Sequence, residues 1–442
     1  MILFIFFAEF FITKKMTIYP VTKKGESIKQ SKNSMKKTGF LIVLSMVIFM
    51  GCKNTNEPTN SSTNLLYVDD VCSVMNDSVF KRYCYLNFDT NKDGKVSMTE
   101  AKNVTAINFP HISVRSLGGI EYFQSLDTLV CSNLNILSLD VSKCSALTYL
   151  DCGFQYLTSL NVRGCTALTD LICLGNRLTT LDVSKCPALN SLICQVNQLT
   201  DLNVNNCTAL TYLTCGDNNL KTLNLSGCKV LTDLNCNNNP LTTLDISKCT
   251  ALTKLYCNYD QLKMIDVSNC TALRELHCDG NLQLTSLDVT KCPKLKELYS
   301  SYNQLSSLDI SKCEALNILS CFSSRITSID VSKCIALTYL DCSFNFFIPF
   351  INPTSLDVSK CTALTYLNCG NNYLTSLNVS GCKVLSSLNC VNDQLTELDV
   401  SNCPVLSELY CKMNPNLKSL YIKSNQYITI LNKDDITTIY FK

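Results

Sequence analysis

LTSLNVRGCTALTDLICLGNRL, residues Leu157–Leu178, sets the pattern for most of the chain. Its first half runs L-x-x-L-x-V-x-x-C-x-x-L and its second L-x-x-L-x-C-x-x-N-x-L. Outward from it the unit recurs every 21 residues, a self-similarity that decides the fold before any local propensity is weighed. One cysteine column runs Cys144, Cys165, Cys186, Cys207, Cys228, Cys249 and Cys270, then Cys292, Cys313, Cys334, Cys361, Cys382 and Cys403. The other runs Cys131, Cys152, Cys173, Cys194, Cys215, Cys236, Cys257 and Cys278. It substitutes Ser300, then resumes at Cys321, Cys342, Cys369, Cys390 and Cys411. The two columns hold 26 of the 29 cysteines, leaving Cys52, Cys72 and Cys84.

Both halves resemble the signature segment of a leucine-rich repeat, and the nested 21-residue unit resembles the short class with two half-repeats per turn (the IRREKO type). The resemblance covers about Leu126 to Asn425. It implies a mainly β leucine-rich repeat parallel solenoid with strands on both sides and little helix. The residues agree: Leu-x-Val and Leu-x-Cys alternate inward and outward as a short strand does. One half-unit cannot bury its apolar edge alone, whereas stacked coils share a continuous core. Fourteen coils at roughly 4.8 Å each make a body about 65 Å long.

The cysteines fit that interior. One column takes the inward Leu slot and the other the Asn slot, and a small apolar thiol suits both. Parallel in-register side chains aim alike, which is poor disulfide geometry, and two histidines with no short-spaced ligand pairs argue against zinc. Asn176, Asn197, Asn218, Asn239, Asn281, Asn303, Asn345, Asn372 and Asn414 form an inward ladder expected to satisfy buried backbone groups.

Outward positions differ between the halves. The first half carries Asp or Asn before its Val or Ile, as at Asp140, Asn161 and Asp182, with Lys143, Gly164, Lys185 or Asn206 three residues on. That trio predicts a turn position of positive φ, and this side reads as structural. The second half varies, with Tyr149, Tyr212, Tyr256, Tyr299, Tyr339, Tyr366 and Tyr410 among Asp170, Lys254, Glu275, His277, Glu297 and Glu408. Variation over a fixed frame makes a recognition surface, and tyrosine offers contact area with little entropy to lose. Tyrosine's β propensity is the competing reading of the same column. Spacing lengthens to 27 between Cys342 and Cys369, around the apolar Phe346–Ile351, a partner contact or a local plug.

The front of the chain is different. MKKTGFLIVLSMVIFMGCKNTNEP (Met35–Pro58) has a basic start, an apolar run and Gly51-Cys52 before a polar tether reaching Asn64. It resembles a bacterial lipoprotein signal, which implies lipid on Cys52, removal of residues 1–51 and a start at Met35. Phe49 and Met50 depart from the usual residues before Gly-Cys. Residues 65–125 read as a helical segment and N-terminal cap. Within it, DTNKDGKVSMTE (Asp89–Glu100) resembles an EF-hand loop, with oxygens from Asp89, Asn91, Asp93, the Lys95 carbonyl, Ser97 and Glu100, and the sharp turn at Gly94. Calcium is the cofactor that this implies. Ser97 and Glu100 also read as a capping box opening a helix. At the far end, residues 426–442 are expected to cap the last coil as a hairpin across Asn432–Asp435.

The formal charge of +2 conceals an asymmetry. Beyond residue 51 there are 30 basic and 34 acidic side chains, which gives no reason to expect nucleic acid. His111 and His277 are the whole histidine complement, no nucleophile elbow is present, and alternation turns His277 and Cys278 to opposite faces. The chain therefore reads as non-catalytic: a lipid-anchored protein of a bacterial envelope, at the outer membrane or cell surface, binding an extracellular protein or glycan. A structural spacer with no external ligand is the alternative.

Overall fold

The computed structural model describes residues 68–110, 113–345 and 355–442. Cys52, the signal segment with its Met35 start, His111 and the apolar insertion Phe346–Ile351 lie outside the described residues. What remains is a parallel β-solenoid fronted by two short helices, α1 (Ser78–Phe88) and α2 (Met98–Asn103).

One wall is a continuous sheet of sixteen parallel strands. It opens with Ala106–Asn108, runs through Thr128–Val130 and its thirteen successors to Glu408–Tyr410, and closes with Ile430–Asn432. The fourteen expected coils are present, with one more at each end. Register is exact in phase with the repeat, Leu129 on Leu150 on Leu171, so every Leu of this column is buried at once.

The opposite wall is broken. Short ladders pair Ser138–Asp140 with Ser159–Asn161, Thr180–Asp182 with Asp201–Asn203, and Ser355–Asp357 with Ser376–Asn378. Between them only an Asp266–Asp288 bridge survives. The Asp/Asn column explains the brevity. Asp140, Asp182, Asp245, Asp288 and Asp357 each accept the backbone N–H two residues on, at 2.8–3.0 Å. This Asx turn ends the strand as soon as it begins, so the monotony of the first half is turn chemistry.

Two expectations are corrected here. Of Lys143, Gly164, Lys185 and Asn206, only Asn206 has positive φ (68°). Glycine serves close approach instead, because a Cβ on Gly164 would lie 1.7 Å from the Ser142 carbonyl oxygen. The tail is not a hairpin either. Ile430–Asn432 pairs parallel with Glu408–Tyr410, and Thr438–Phe441 pairs parallel with Ser419–Ile422. It still reads as a worn repeat: Leu431 sits on Leu409, and Asp434 accepts the Asn414 N–H at 2.9 Å from the ladder slot.

At the front, Asp77 caps α1 through the N–H groups of Val79 and Phe80. The helix buries Phe80 against Phe109 and Phe123, ring centroids 5.7 and 6.5 Å away, and so covers the open end of the stack.

All 28 described cysteines are free and buried. Those in the Asn slot imitate asparagine: Cys165, Cys186, Cys207 and Cys382 donate S–H to the carbonyl 24 residues earlier, at 3.2–3.4 Å. Burial pushes the Cys165 and Cys173 thiols up to about 12. Because thiolate is the reactive form, these thiols are expected to resist a soluble disulfide reagent until denaturant is added. Rapid titration of more than one or two in the native protein would overturn that assignment.

Candidate functional site

The outer face of the sixteen-stranded sheet carries the varied side chains, two per strand. Tyr149, Tyr212, Tyr339 and Tyr366 occupy the first outward column, and Tyr256, Tyr299 and Tyr410 the second. The seven do not form one cluster. Asp170 and Ser191 separate Tyr149 from Tyr212. Tyr339 and Tyr366 lie on adjacent strands and stack at 4.6 Å with 3° between ring planes. Tyr256 and Tyr299 are brought together by His277, whose ring lies 4.5 and 4.3 Å from theirs.

Around that triplet the three strands Lys254–Tyr256, Glu275–His277 and Glu297–Tyr299 build a mixed patch. Lys254 Nζ meets Glu275 at 2.9 Å, and the Tyr256 hydroxyl donates to the same carboxylate. Burial between the tyrosines pushes the His277 imidazole down to about 4. It is therefore neutral at physiological pH, and Nε2, 3.9 Å from Glu297, is buried without a hydrogen-bond partner. Cys278 faces the core with its thiol raised far above the usual range by burial. The imidazole and thiol therefore do not form a nucleophilic pair.

The loop Asp89–Glu100, expected from its sequence to hold calcium, has some of its oxygens engaged within the loop. Gly94 has φ +84° and donates its N–H to Asp89 Oδ2 at 2.9 Å, while Asp89 Oδ1 is buried without a partner. Asn91 and Asp93 accept the N–H groups of Asp93 and Lys95, each at 2.9 Å. Glu100 turns elsewhere. One oxygen accepts from Thr90 and Asn91, the other from the Ser97 N–H and hydroxyl, completing the capping box. The Ser97 N–H foremost among those donors holds its carboxyl down to about 2. Among the described residues no three His, Cys, Asp or Glu side chains converge as a metal cluster. The Asp89 oxygen fits a hard cation; Glu100 would have to leave its five donors to complete the shell.

One row escaped the sequence reading. Two residues after each main-sheet cysteine, or Ser300 in its place, the backbone turns left-handed, as at Phe154 (φ 52°), Val196 (56°), Tyr259 (55°), Tyr302 (55°), Phe344 (56°) and Met413 (61°). The same column holds Gly175, Asp217, Asn238, Gly280, Asn371 and Asn392. The signal was present as bulky residues in a column otherwise filled with Gly, Asn, Asp and one Ser.

A family model for the leucine-rich repeat matches residues 216–234 and 370–387. Comparison with curated proteins gives no significant match. Among solved structures, the functional domain of InlJ from Listeria monocytogenes, described as including a cysteine ladder, is 30% identical with a TM-score of 0.61. The alignment covers 80% of this chain and 82% of that one. This chain belongs to the leucine-rich repeat family. Two more distant leucine-rich repeat solenoids share the fold. LIC12759 from Leptospira interrogans is 20% identical with a TM-score of 0.59, over 78% of this chain and 97% of that one. The plant peptide hormone receptor RGFR1, solved with RGF2, is 18% identical with a TM-score of 0.54, over 78% and 69%.

Proposed function

We propose that this leucine-rich repeat protein is a non-catalytic recognition scaffold whose sheet face docks a protein. The observation that carries the reading is the contrast between the walls. Every outward Asp or Asn on the broken wall is consumed by a turn, while the continuous wall offers a neutral His277 between two tyrosines, edged by Lys254, Glu275 and Glu297. A desolvated aromatic centre with a charged rim is the anatomy of a protein-binding hot spot. A solenoid of the same fold, RGFR1, was solved with the peptide hormone RGF2.

In this reading lipid on Cys52 holds the protein at the outer face of a bacterial envelope, and calcium in Asp89–Glu100 stiffens the end nearest the anchor. The soluble body, residues 54–442, would be presented to panels of extracellular-matrix proteins, with calcium and with chelator. A specific interaction that Tyr256→Ala plus Tyr299→Ala weakens by tenfold or more is expected. A folded body that binds nothing would end the recognition reading in favour of a spacer.

Calcium has its own measurement. Titration followed calorimetrically should show one site that Asp89→Asn weakens and Glu100→Gln abolishes. Heat that neither substitution changes would place the ion elsewhere.

A further inference from the structure

The left-handed row after each main-sheet strand is costly to fill with large side chains. An L-residue there is strained where glycine is not, and Phe154 and Tyr259 remain 55% and 49% exposed. The left-handed turn recurs in every coil of the column, so it is the choice of a large, half-open ring there, and not the backbone, that points to a contact.

The rings are seated, not loose. A Cβ on Gly280 would lie 2.4 Å from Tyr259 Cδ1 and 2.8 Å from Cε1, and a Cβ on Gly175 would lie 2.8 Å from Phe154 Cδ1. Phe154 and Tyr259 therefore each lie across the glycine of the next coil, with about half of their surface open to solvent. From Tyr259 onward the row reads Tyr259, Gly280, Tyr302, Ser323, Phe344, an aromatic on every second coil with a small residue between. At about 4.8 Å per coil the aromatics are about 9.6 Å apart along the axis. Two residues after the ridge positions stand Gln261, Leu282, Gln304 and Arg325, with Gln283 in the extra residue of its coil; the glutamine amides can both donate and accept. Tyr302 is braced edge-on by Phe322 at 4.7 Å.

We propose that this ridge is a track for an extended, uncharged β-1,4-linked glycan lying along the solenoid axis. Such a chain presents an equivalent sugar face once per disaccharide, the length class of two coils. Tyr259, Tyr302 and Phe344 stack on alternate rings while the glutamines hydrogen-bond the hydroxyls. Gly280 and Ser323 leave room for the intervening sugars. Aromatic rings beside glutamine amides, with Asp279 and Arg325 at their edge, offer stacking faces and hydrogen-bonding groups to a polyhydroxylated ligand. The ridge is distinct from the sheet face, whose outward side chains precede it by three or more residues on each coil.

The test uses the purified protein with the hexasaccharides of β-1,4-linked glucose and of β-1,4-linked N-acetylglucosamine, and their shorter homologues, by calorimetry. One of the two series should bind, with affinity rising from disaccharide to hexasaccharide. Tyr259→Ala or Tyr302→Ala should weaken the hexasaccharide at least tenfold, and Gly280→Ala, which unseats the Tyr259 ring, should weaken it too. Tyr256→Ala plus Tyr299→Ala on the sheet face should leave it unchanged, and circular dichroism melts would confirm that each variant is folded. Absence of binding by both series would overturn the proposal, as would binding indifferent to Tyr259 and Tyr302. If Tyr259→Ala instead impaired capture of a matrix protein, with neither series bound, the ridge would be reassigned to protein docking.

Discussion

Asn281→Ala is expected to cost about 3–5 kcal/mol of unfolding free energy, far more than a surface substitution. The side chain is fully buried and closes three hydrogen bonds in two coils. Its Nδ2 donates to the carbonyls of Cys257 at 2.9 Å and Cys278 at 3.0 Å, and its Oδ1 accepts the Leu262 N–H at 3.1 Å. Alanine strands all three backbone groups where water has no ready path, and each stranded group costs about 1–3 kcal/mol, softened by whatever relaxation the stack allows. The next rung supplies a control. The spacing from Cys270 to Cys292 is 22, and the extra residue lets Leu284 donate instead to the Asn281 carbonyl oxygen at 2.8 Å. Asn303 therefore makes only its two Nδ2 bonds, to Cys278 and Ser300, and its Oδ1 is buried without a partner. Asn303→Ala should thus be milder than Asn281→Ala by about 1–2 kcal/mol. Urea unfolding followed by circular dichroism measures both. Equal losses, or a loss below 1 kcal/mol at Asn281, would mean that the ladder does not hold the coils together.

Those rungs were visible in the sequence because each inward slot has one job. A leucine column, a cysteine column and an asparagine column, each recurring every 21 residues, leave a single way of stacking that buries all three. The outward chemistry was less legible, since it depends on how side chains lean across strands. Spacing assigned Tyr256 and Tyr299 to the recognition face, but only the register at 4.5 and 4.3 Å shows His277 joining them, while Tyr149 and Tyr212 are left apart. The Lys143, Gly164 and Asn206 trio looked like a left-handed turn because glycine and asparagine share that preference; glycine's other virtue, having no Cβ, was the one in use at Gly164. At the loop, Glu100 fits a calcium pattern and a capping box together, and the capping box is the part that the structure shows.

Two rungs of the ladder are acids, and they should make the protein more stable toward mild acid than its composition implies. Asp260 and Asp393 occupy asparagine slots, 4% and 0% exposed, and burial raises both carboxyls to about 7. Asp393 Oδ1 accepts the N–H groups of Asn372 and Leu374 at 2.9 and 3.1 Å, as an asparagine would, but Oδ2 is buried without a partner. In the neighbouring rungs that position is an amide donating to two carbonyls: Asn372 to Cys342 and Cys369, Asn414 to Cys390 and Cys411. Only a protonated carboxyl can donate there. The folded state then keeps a proton that the unfolded chain releases near pH 4. Each site's destabilising contribution is accordingly absent below pH 4, grows through the window from about 4 to 7, and is complete above it. At about 1.36 kcal/mol per unit the sum approaches 4 kcal/mol per site, and roughly 2–4 is expected once the coil relaxes. His277 acts oppositely in an overlapping window: its imidazole is held down to about 4, so its contribution is lost as pH falls below about 6.5. The difference between wild type and Asp260→Asn plus Asp393→Asn cancels that term. Urea midpoints should lie closest at about pH 4, separate steadily up to about pH 7 and keep that gap at pH 8, with the double variant the more stable. A gap already full at pH 4.5, or none at pH 8, would show that these two slots take the charged carboxylate without penalty.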